Sequence, residues 1–305
     1  MNGLSTLSAI LKGYWLIDPS YAEAKRELVE AWVYGGKTAF KAFEKDDDEP
    51  RDKIQPVALA TSAQIPVYTK SQNWQSFSDA PEGSIARIVI DDPLMKHDFC
   101  GSAGSMSLAK WVTEAANNPN IIGTILDIDS PGGMVGGIQT LSAAIAAHEK
   151  PIYTHVNDGM AASAAYWIAS ETDKVYVSYP TDSVGSIGVY ISLADKTKRD
   201  KKMGIVRTDF YANQSTEKNL PYRKALNGDP SLLIRELDAI AELFINTVQY
   251  NRKIKTSGGD PFKGAMYAAE EALSIGLIDG ILSRDEVITQ LYQAAKNQSK
   301  SQFYV

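Results

Sequence analysis

A serine surrounded by very small side chains is the strongest candidate for chemistry in this sequence. Ser163 lies in the stretch 158–170, together with Gly159 and four alanines at positions 161, 162, 164 and 165. These side chains leave room for a substrate backbone at the hydroxyl, and a helix that begins here aims free N–H groups and its positive dipole end at the same point. The stretch therefore predicts a serine nucleophile beside a helix terminus that stabilises an oxyanion. It is also compatible with a structural role, in which Ser163 merely caps the helix.

A second source of backbone N–H groups precedes this stretch. Residues 129–133 follow a buried apolar run, and in them Pro131 fixes one φ angle while Gly132 and Gly133 allow the chain to turn. Together with Ser163, this segment predicts the second N–H donor that a tetrahedral intermediate needs. On its own, a Pro-Gly-Gly sequence between a strand and a helix is more simply a turn.

A serine nucleophile also needs a general base. The three histidines, His97, His148 and His155, are each poorly placed along the chain for this role. A lysine can act instead if burial lowers its pKa from about 10.4 by roughly 2 to 4 units, so that the amine is neutral. The candidates are Lys196, Lys198, Lys201, Lys202, Lys218 and Lys224. The first four lie in a basic cluster that is more simply a solvated helix face, and the residues alone leave the choice open.

The segments around these residues alternate between strand and helix patterns. Apolar β-rich runs predict strands over 84–90, 121–128, 152–156, 175–178 and 189–193. Helical spacing and caps predict helices over 107–117, 138–149, 162–170 and 231–251. This alternation predicts an α/β fold.

Composition divides the chain into four parts. Residues 1–53 are expected to form an N-terminal helical extension, with a helix or docking segment over 1–17, a helix over 20–33 and a charged linker over 44–53. Residues 54–83 are expected to form an irregular lead-in. The main domain is expected to span 84–296, and 297–305 to be a frayed tail.

Charge and cysteine content exclude several classes of function. The net charge of −6, without a basic cluster of the required size, argues against a nucleic-acid partner. The single cysteine, Cys100, excludes an intrachain disulfide, and no His or Cys has a zinc-site spacing. No apolar run approaches the roughly 20 residues that span a bilayer. We therefore expect a cytoplasmic protein without a cysteine-rich or zinc metal site, a nucleic-acid partner or a membrane partner.

Four motifs together resemble those of the signal peptide peptidase A family of serine peptidases. They are residues 129–133, 159–167, 184–189 and 269–279, and their order and spacing match over roughly residues 84 to 285. The resemblance implies the ClpP/crotonase fold, with repeated β-β-α units, and a Ser-Lys dyad that needs no metal or cofactor.

The resemblance also assigns individual residues. It implies that Ser163 is the nucleophile, that Lys218 is the general base and that Ser186 orients the lysine. It implies that the backbone N–H groups of Gly133 and Ala164 form the oxyanion hole. The residues that we expect to contact the substrate are Gly132, Gly159 and Met160.

The family includes phage and prophage enzymes that mature capsids, so the resemblance implies a serine endopeptidase of capsid maturation. Its partners would be capsid or scaffolding proteins, its place the host cytoplasm or the procapsid, and its state a homo-oligomer. Two alternatives remain. A crotonase-type acyl-CoA enzyme would use an acidic catalytic residue and a CoA site, and a scaffolding protein would have kept the fold without catalysis.

Overall fold

The computed structural model describes residues 15–17, 54–59, 66–68, 76–98, 102–193, 195–206, 208–255 and 260–302. Side chains are described within residues 76–298 of these ranges. The helix expected over 20–33, the charged linker over 44–53 and Cys100 lie outside the described residues.

Strands and helices follow one another along the described part of the chain. The strands are β1 (Trp15–Ile17), β2 (Ile54–Leu59), β3 (Pro66–Tyr68), β4 (Ser84–Ile90), β5 (Ile121–Ser130), β6 (Gly132–Met134), β7 (Ile152–Ala162), β8 (Lys174–Val177), β9 (Ser183–Gly185), β10 (Met266–Ala268) and β11 (Gly280–Ile281). The helices are α1 (Ser105–Asn117), α2 (Ile138–Ala146), α3 (Ala164–Ser170), α4 (Thr197–Lys202), α5 (Leu220–Leu226), α6 (Ser231–Asn251), α7 (Ala269–Ile275) and α8 (Arg284–Gln302).

A largely parallel sheet forms the centre of the described structure. Its main path runs β10-β9-β7-β5-β4-β2-β3, and β8 pairs with both β7 and β11. The β4, β5, β7 and β8 strands are parallel to one another, whereas β2 and β10 join the sheet antiparallel. A separate antiparallel pair joins β1 to β6.

Apolar side chains on both faces explain why the central strands are buried. Leu126 and Ile128 of β5 face the larger core, to which α1, α2, α3 and α6 contribute, whereas Ile125 faces a smaller core beside α8. Successive side chains of a strand point to opposite faces, so a strand covered on both sides is apolar throughout. The stacked rings of Trp167 and Phe244, 4.8 Å apart, join α3 to α6.

The order of elements repeats a β-β-α pattern. Strands β5 and β6 lead into α2, and strands β8 and β9 lead into α4. The mixed α/β fold with a parallel sheet and β-β-α units, which the sequence predicts, is therefore confirmed.

Several boundaries differ from the sequence-based expectation. Residues 189–193 are not a strand, because they run along the surface, where Leu193 is exposed. The lead-in is more regular than expected, because β2 pairs with β4 and β3 pairs with β2. Residues 15–17 form a strand rather than a helix. The last helix continues to Gln302, past the expected start of the frayed tail.

Candidate active site

Ser163 lies at the junction between β7 and α3, in a backbone conformation that serine rarely adopts. Its φ and ψ angles are 53° and −117°, and its side chain is buried, with 1% exposure. Residues held in sparsely populated regions cost about 1–3 kcal/mol and cluster at active sites. Although Ser163 occupies the N-cap position of α3, its side chain makes no capping hydrogen bond. The purely structural capping role is therefore wrong.

Two carboxylates fix the bend that carries β7 towards Ser163. The side chain of Asp182 accepts a hydrogen bond from the Gly159 N–H at 2.9 Å, and that of Asp129 accepts one from the Met160 N–H at 3.1 Å. A Cβ on Gly159 would lie 2.2 Å from Asp129 Oδ1, so any larger residue here would displace the Asp129 carboxylate from the bend. Burial raises the pKa of Asp129, and nearby carboxylates, including Asp182, add to the shift. Sequence reasoning missed this clamp because Asp182 belongs to no recognised motif.

Ser186 lies beside Ser163 because strand β9 pairs with the end of β7. Ala162 pairs with Gly185, and the Ser163 N–H donates to the Gly185 carbonyl at 2.8 Å. Ser186 follows Gly185 directly, is 5% exposed and has a φ of 53°. Its N–H donates to the Ala265 carbonyl at 2.7 Å, so the backbone on both sides of this hydroxyl is held in place. The structure therefore brings together two of the predicted site residues.

The two backbone groups expected to hold an oxyanion lie on adjacent elements. Ala164 is the first residue of α3, where helix N–H groups lack intrahelical partners. Gly133 is the middle residue of β6, which packs against α3. A Cβ on Gly133 would lie 2.0 Å from the Leu94 carbonyl oxygen, which requires glycine there. The Pro-Gly-Gly segment is thus more than a turn, because its glycines form a paired strand.

Lys218 is the predicted residue that the structure does not bring to Ser163. Its side chain is exposed. Its backbone N–H donates a hydrogen bond to the Ser215 carbonyl at 3.2 Å. The hydrogen bond described for Ser163 Oγ goes to the Gly188 carbonyl at 3.5 Å. Within the described residues, no hydrogen bond joins Lys218 to Ser163.

The other candidate lysines are no better placed. Lys198, Lys201 and Lys202 are exposed, and Lys196 is half-buried. Lys224 is exposed and forms an ion pair with Asp229 at 3.2 Å.

Unusual backbone angles coincide with the predicted site. In the described residues, φ is positive at four residues other than glycine, namely Asp158, Ser163, Ser186 and Asn219. Asp158 begins the bend that Asp129 and Asp182 hold, and Asn219 directly follows Lys218. The other two, Ser163 and Ser186, are the serines of the predicted site. Such residues account for only a few per cent of non-glycine positions, so this coincidence singles out the regions that the sequence motifs select.

A second serine belongs to a polar cluster beside α8, which sequence reasoning missed. His155 Nε2 lies 2.9 Å from Ser178 Oγ, and His155 Nδ1 lies 3.4 Å from Asp127 Oδ1. Arg87 and Arg284 also bind the Asp127 carboxylate. Burial alone would raise the pKa of Asp127, but the His155 hydrogen bond and the two guanidinium charges lower it to about 2. The pairing of Asp127 with His155 between β5 and β7 brings these residues together.

The remaining histidines lie in other settings. His148 is buried between Thr124 Oγ1, at 2.9 Å from its Nε2, and the Lys150 carbonyl, at 2.8 Å from its Nδ1, and burial lowers its pKa. His97 is exposed. No histidine forms a hydrogen bond with Ser163 in the part of the chain that is described.

Neither a metal site nor a membrane span is present among the described residues. Their side chains contain no group of three or more His, Cys, Asp or Glu residues that could hold a metal ion. Among the described helices, none has both the length and the apolar character that crossing a bilayer requires.

Comparisons with known proteins find relatives that match most of this chain. The capsid assembly protease C of Escherichia phage lambda is 27% identical over 281 residues, which cover 92% of this chain and 63% of that protein. Protease 4 of Salmonella typhi is 26% identical over 70% of this chain and 35% of its own length. The chain thus spans less than two thirds of the length of either relative.

Solved structures also match. A membrane protease specific for a stomatin homolog from Pyrococcus horikoshii is 19% identical, with a TM-score of 0.34 over 66% of this chain and 78% of that one.

A family model matches residues 144–298, which contain Ser163, Ser186 and Lys218 and make up just over half of the chain. The resemblance that the four motifs indicate is thereby confirmed. The chain belongs to peptidase family S49.

Proposed function

We propose that this protein is a serine endopeptidase in which Ser163 is the nucleophile and Lys218 the general base. The observation that carries the proposal is the backbone of Ser163, with φ of 53° and ψ of −117° at the start of α3. A strained turn from strand to helix also presents the nucleophile in other serine hydrolases. Family membership supports the same class of reaction.

The surroundings of Ser163 support a tetrahedral intermediate. The Ala164 N–H lies at the terminus of α3, and the Gly133 N–H belongs to β6, which packs against that helix. Two preorganised donors of this kind stabilise the negative charge that develops on the substrate oxygen. The Ser186 hydroxyl, directly after strand β9 and near Ser163, would form a hydrogen bond that orients the lysine amine.

The proposed reaction has two halves. The neutral Lys218 amine takes the Ser163 proton as Oγ attacks the scissile carbonyl, and the oxyanion forms between the two N–H groups. The intermediate then collapses, the C–N bond breaks, and the lysine returns its proton to the leaving amine. Water attacks the acyl-enzyme and Lys218 again accepts the proton. The C–Oγ bond then breaks, which releases the new carboxyl terminus, and the lysine returns its proton to Ser163 Oγ.

This mechanism requires the Lys218 amine to come within about 3 Å of Ser163 Oγ. Catalytic hydrogen bonds are often long in a structure without substrate and tighten only in the complex. The segment that carries Lys218 also exposes large apolar side chains, notably Val206 at 88% and Phe210 at 91%. Both side chains would be removed from water if this segment packed against the rest of the protein, which is favourable. We therefore infer that the described segments 197–206 and 208–226 close towards the nucleophile when the enzyme acts.

The biological substrate that we propose is a capsid or scaffolding protein. The support is the 92% coverage of this chain by its match to the phage lambda capsid assembly protease. A crotonase-type acyl-CoA enzyme would have no use for the strained serine. A scaffolding protein without catalysis would have no reason to keep Ser163 and Ser186 side by side.

Digestion of a denatured protein tests the proposal. Purified protein should cut unfolded casein, and Ser163→Ala protein should not, because removal of the nucleophile of such a unit costs several orders of magnitude in rate. The substitution removes one oxygen among small side chains, so the circular dichroism spectrum and unfolding temperature should be unchanged. Equal digestion by the wild type and the Ser163→Ala variant would overturn the assignment.

A further inference from the structure

We propose that strand β1 (Trp15–Ile17) occupies the edge of strand β6 at which an extended peptide substrate binds. Strand β1 therefore competes with substrate for this edge. The inference rests on the proposed peptidase function, because it concerns access to the Gly133 N–H. Its basis is the antiparallel pairing of β1 with β6, the strand that contains Gly132 and Gly133.

The register places the middle of β1 opposite the proposed oxyanion donor. Leu16 pairs with Gly133, Trp15 with Met134 and Ile17 with Gly132. A peptide bound in an extended form to a sheet edge makes the same kind of contact, in which main-chain hydrogen bonds provide the affinity. Residues 15–17 therefore lie where an extended substrate would lie.

Hydrogen bonds on the other edge of β6 show which backbone groups face β1. The Leu94 N–H donates to the Gly132 carbonyl at 2.8 Å, and the Met134 N–H donates to the Leu94 carbonyl at 2.8 Å. These bonds belong to a parallel bridge between Leu94 and Gly133. In such a bridge the two neighbours of Gly133 bond to Leu94, so the N–H and C=O of Gly133 itself face the opposite edge, where β1 lies.

This geometry makes Leu16 and Gly133 a hydrogen-bonded antiparallel pair. Two residues in such a pair exchange both of their backbone hydrogen bonds. The Leu16 carbonyl thus accepts from the Gly133 N–H, and the Leu16 N–H donates to the Gly133 carbonyl. A substrate carbonyl can use the Gly133 N–H only after β1 has left, so β1 lowers the fraction of protein that is competent to bind.

The alternation of hydrogen bonds along β1 offers a matched pair of variants. Leu16→Pro removes the N–H that donates to Gly133 and should release the strand. Ile17→Pro removes an N–H that faces away from β6, and proline favours an extended conformation at the preceding residue, Leu16. The two variants therefore introduce the same residue one position apart, and only the first should break the pair.

The rate at which a fluorophosphonate probe labels Ser163 measures access to the site. We expect Leu16→Pro protein to react on the order of tenfold faster than the wild type, as removal of a competing state predicts. Ile17→Pro protein should react at the wild-type rate. A synthetic peptide with the sequence of residues 12–20 should slow the labelling of the Leu16→Pro variant, and the same peptide with proline at position 16 should not.

A measurement independent of activity separates this proposal from the proposed function. In Ser163→Ala protein, amide hydrogen exchange over residues 132–134 should be faster with Leu16→Pro than with Ile17→Pro. Equal exchange in the two variants, or measurable labelling at the same rate in the wild-type, Leu16→Pro and Ile17→Pro proteins, would overturn the role of β1 while leaving the peptidase assignment intact. Faster exchange in the Leu16→Pro variant together with no labelling of any protein would support the pairing and contradict the serine mechanism.

Discussion

Two serines of this protein, Ser178 and Ser163, lie in contrasting polar environments. The comparison separates a hydroxyl that supports the fold from one that is placed for catalysis. Ser178 is the end of a chain of contacts through His155 to Asp127, in the order of a Ser-His-Asp triad. Ser163 has no histidine or carboxylate among its described hydrogen-bond partners, and its hydroxyl donates to the Gly188 carbonyl at 3.5 Å. The serine with the familiar partners is not the one that the family motifs select.

The Ser178 hydroxyl and the Asp127 carboxylate each have more than one hydrogen-bond or ion-pair partner. Its hydroxyl also lies 2.8 Å from Asn157 Oδ1, and Asp127 binds Arg87 and Arg284 besides His155. A carboxylate held by two guanidinium groups is a poor stabiliser of an additional imidazolium charge. The backbone of Ser178 is bonded as well, since its N–H lies 2.9 Å from both the Val156 carbonyl and Asp182. These are the properties of a buried network that holds strands together.

The Ser163 region has the opposite properties. Its backbone is strained, its bend is clamped by Asp129 and Asp182, and its hydroxyl makes one long hydrogen bond. Strain persists only where the surrounding structure holds it in place. The comparison teaches that conformational strain at the start of a helix marks the nucleophile better than a chain of satisfied hydrogen bonds does.

The largest expected effect concerns the base. Lys218→Ala should lower the rate of casein digestion on the order of 10³-fold or more, because a general base and its nucleophile act as one unit. Lys218→Arg should be nearly as damaging, since a guanidinium cannot be deprotonated at working pH. The matched control is Lys224→Ala. It removes an exposed lysine that lies six residues after Lys218 and forms an ion pair with Asp229. Loss of activity in the Lys224 variant alone would move the base to that residue, and full activity in both would contradict a Ser-Lys mechanism.

A smaller effect concerns stability in acid, and the Ser178 cluster should contribute a distinct part of it through Asp127. The pKa of Asp127 is about 2 in the folded protein and 3.8 as its ordinary value, so its stabilisation is complete above about pH 5 and is lost as the pH falls through 3.8 towards 2. The loss amounts to about 2 kcal/mol in the free energy of unfolding. Urea unfolding at pH 7, 4 and 2 should show this component in the wild type and not in Asp127→Asn protein.

Asp129 provides the control for that titration, because burial shifts its pKa in the opposite direction. An acid whose folded pKa is raised costs stability at neutral pH, and that cost disappears as the pH falls. Asp129→Asn protein should therefore keep the Asp127-dependent loss of stability in acid, which Asp127→Asn protein lacks. An identical response of the two variants would show that the Asp127 network does not set the acid sensitivity.

The sequence predicted elements whose signals are local. Strand 84–90 and helix 231–251 match β4 and α6 at both ends, because apolar spacing and flanking residues define them without reference to the rest of the chain. The positions of Ser163 and Ser186 were predictable for a related reason, since each lies in a short motif with a fixed place between a strand and its neighbour. The strain at both residues was not predictable, because no residue type encodes it.

The features that the sequence did not predict depend on distant pairing. The bend in β7 is held by Asp182, 23 residues away from Gly159, and the Asp127 cluster includes Arg284, 157 residues away. The apolar run over 189–193 suggested a strand but has no strand partner in the described structure, apart from a single bridge at Tyr190. Strand β1 pairs with β6 across more than a hundred positions of sequence, and nothing local in residues 15–17 indicates that partner.

The most direct test of the central claim is to map which serine reacts with a fluorophosphonate. Mass spectrometry of the labelled and digested wild-type protein should find the adduct on Ser163 and none on Ser178. Ser178→Ala protein should label like the wild type, and Ser163→Ala protein should not label. An adduct on Ser178, or labelling that survives in the Ser163→Ala variant, would contradict the account.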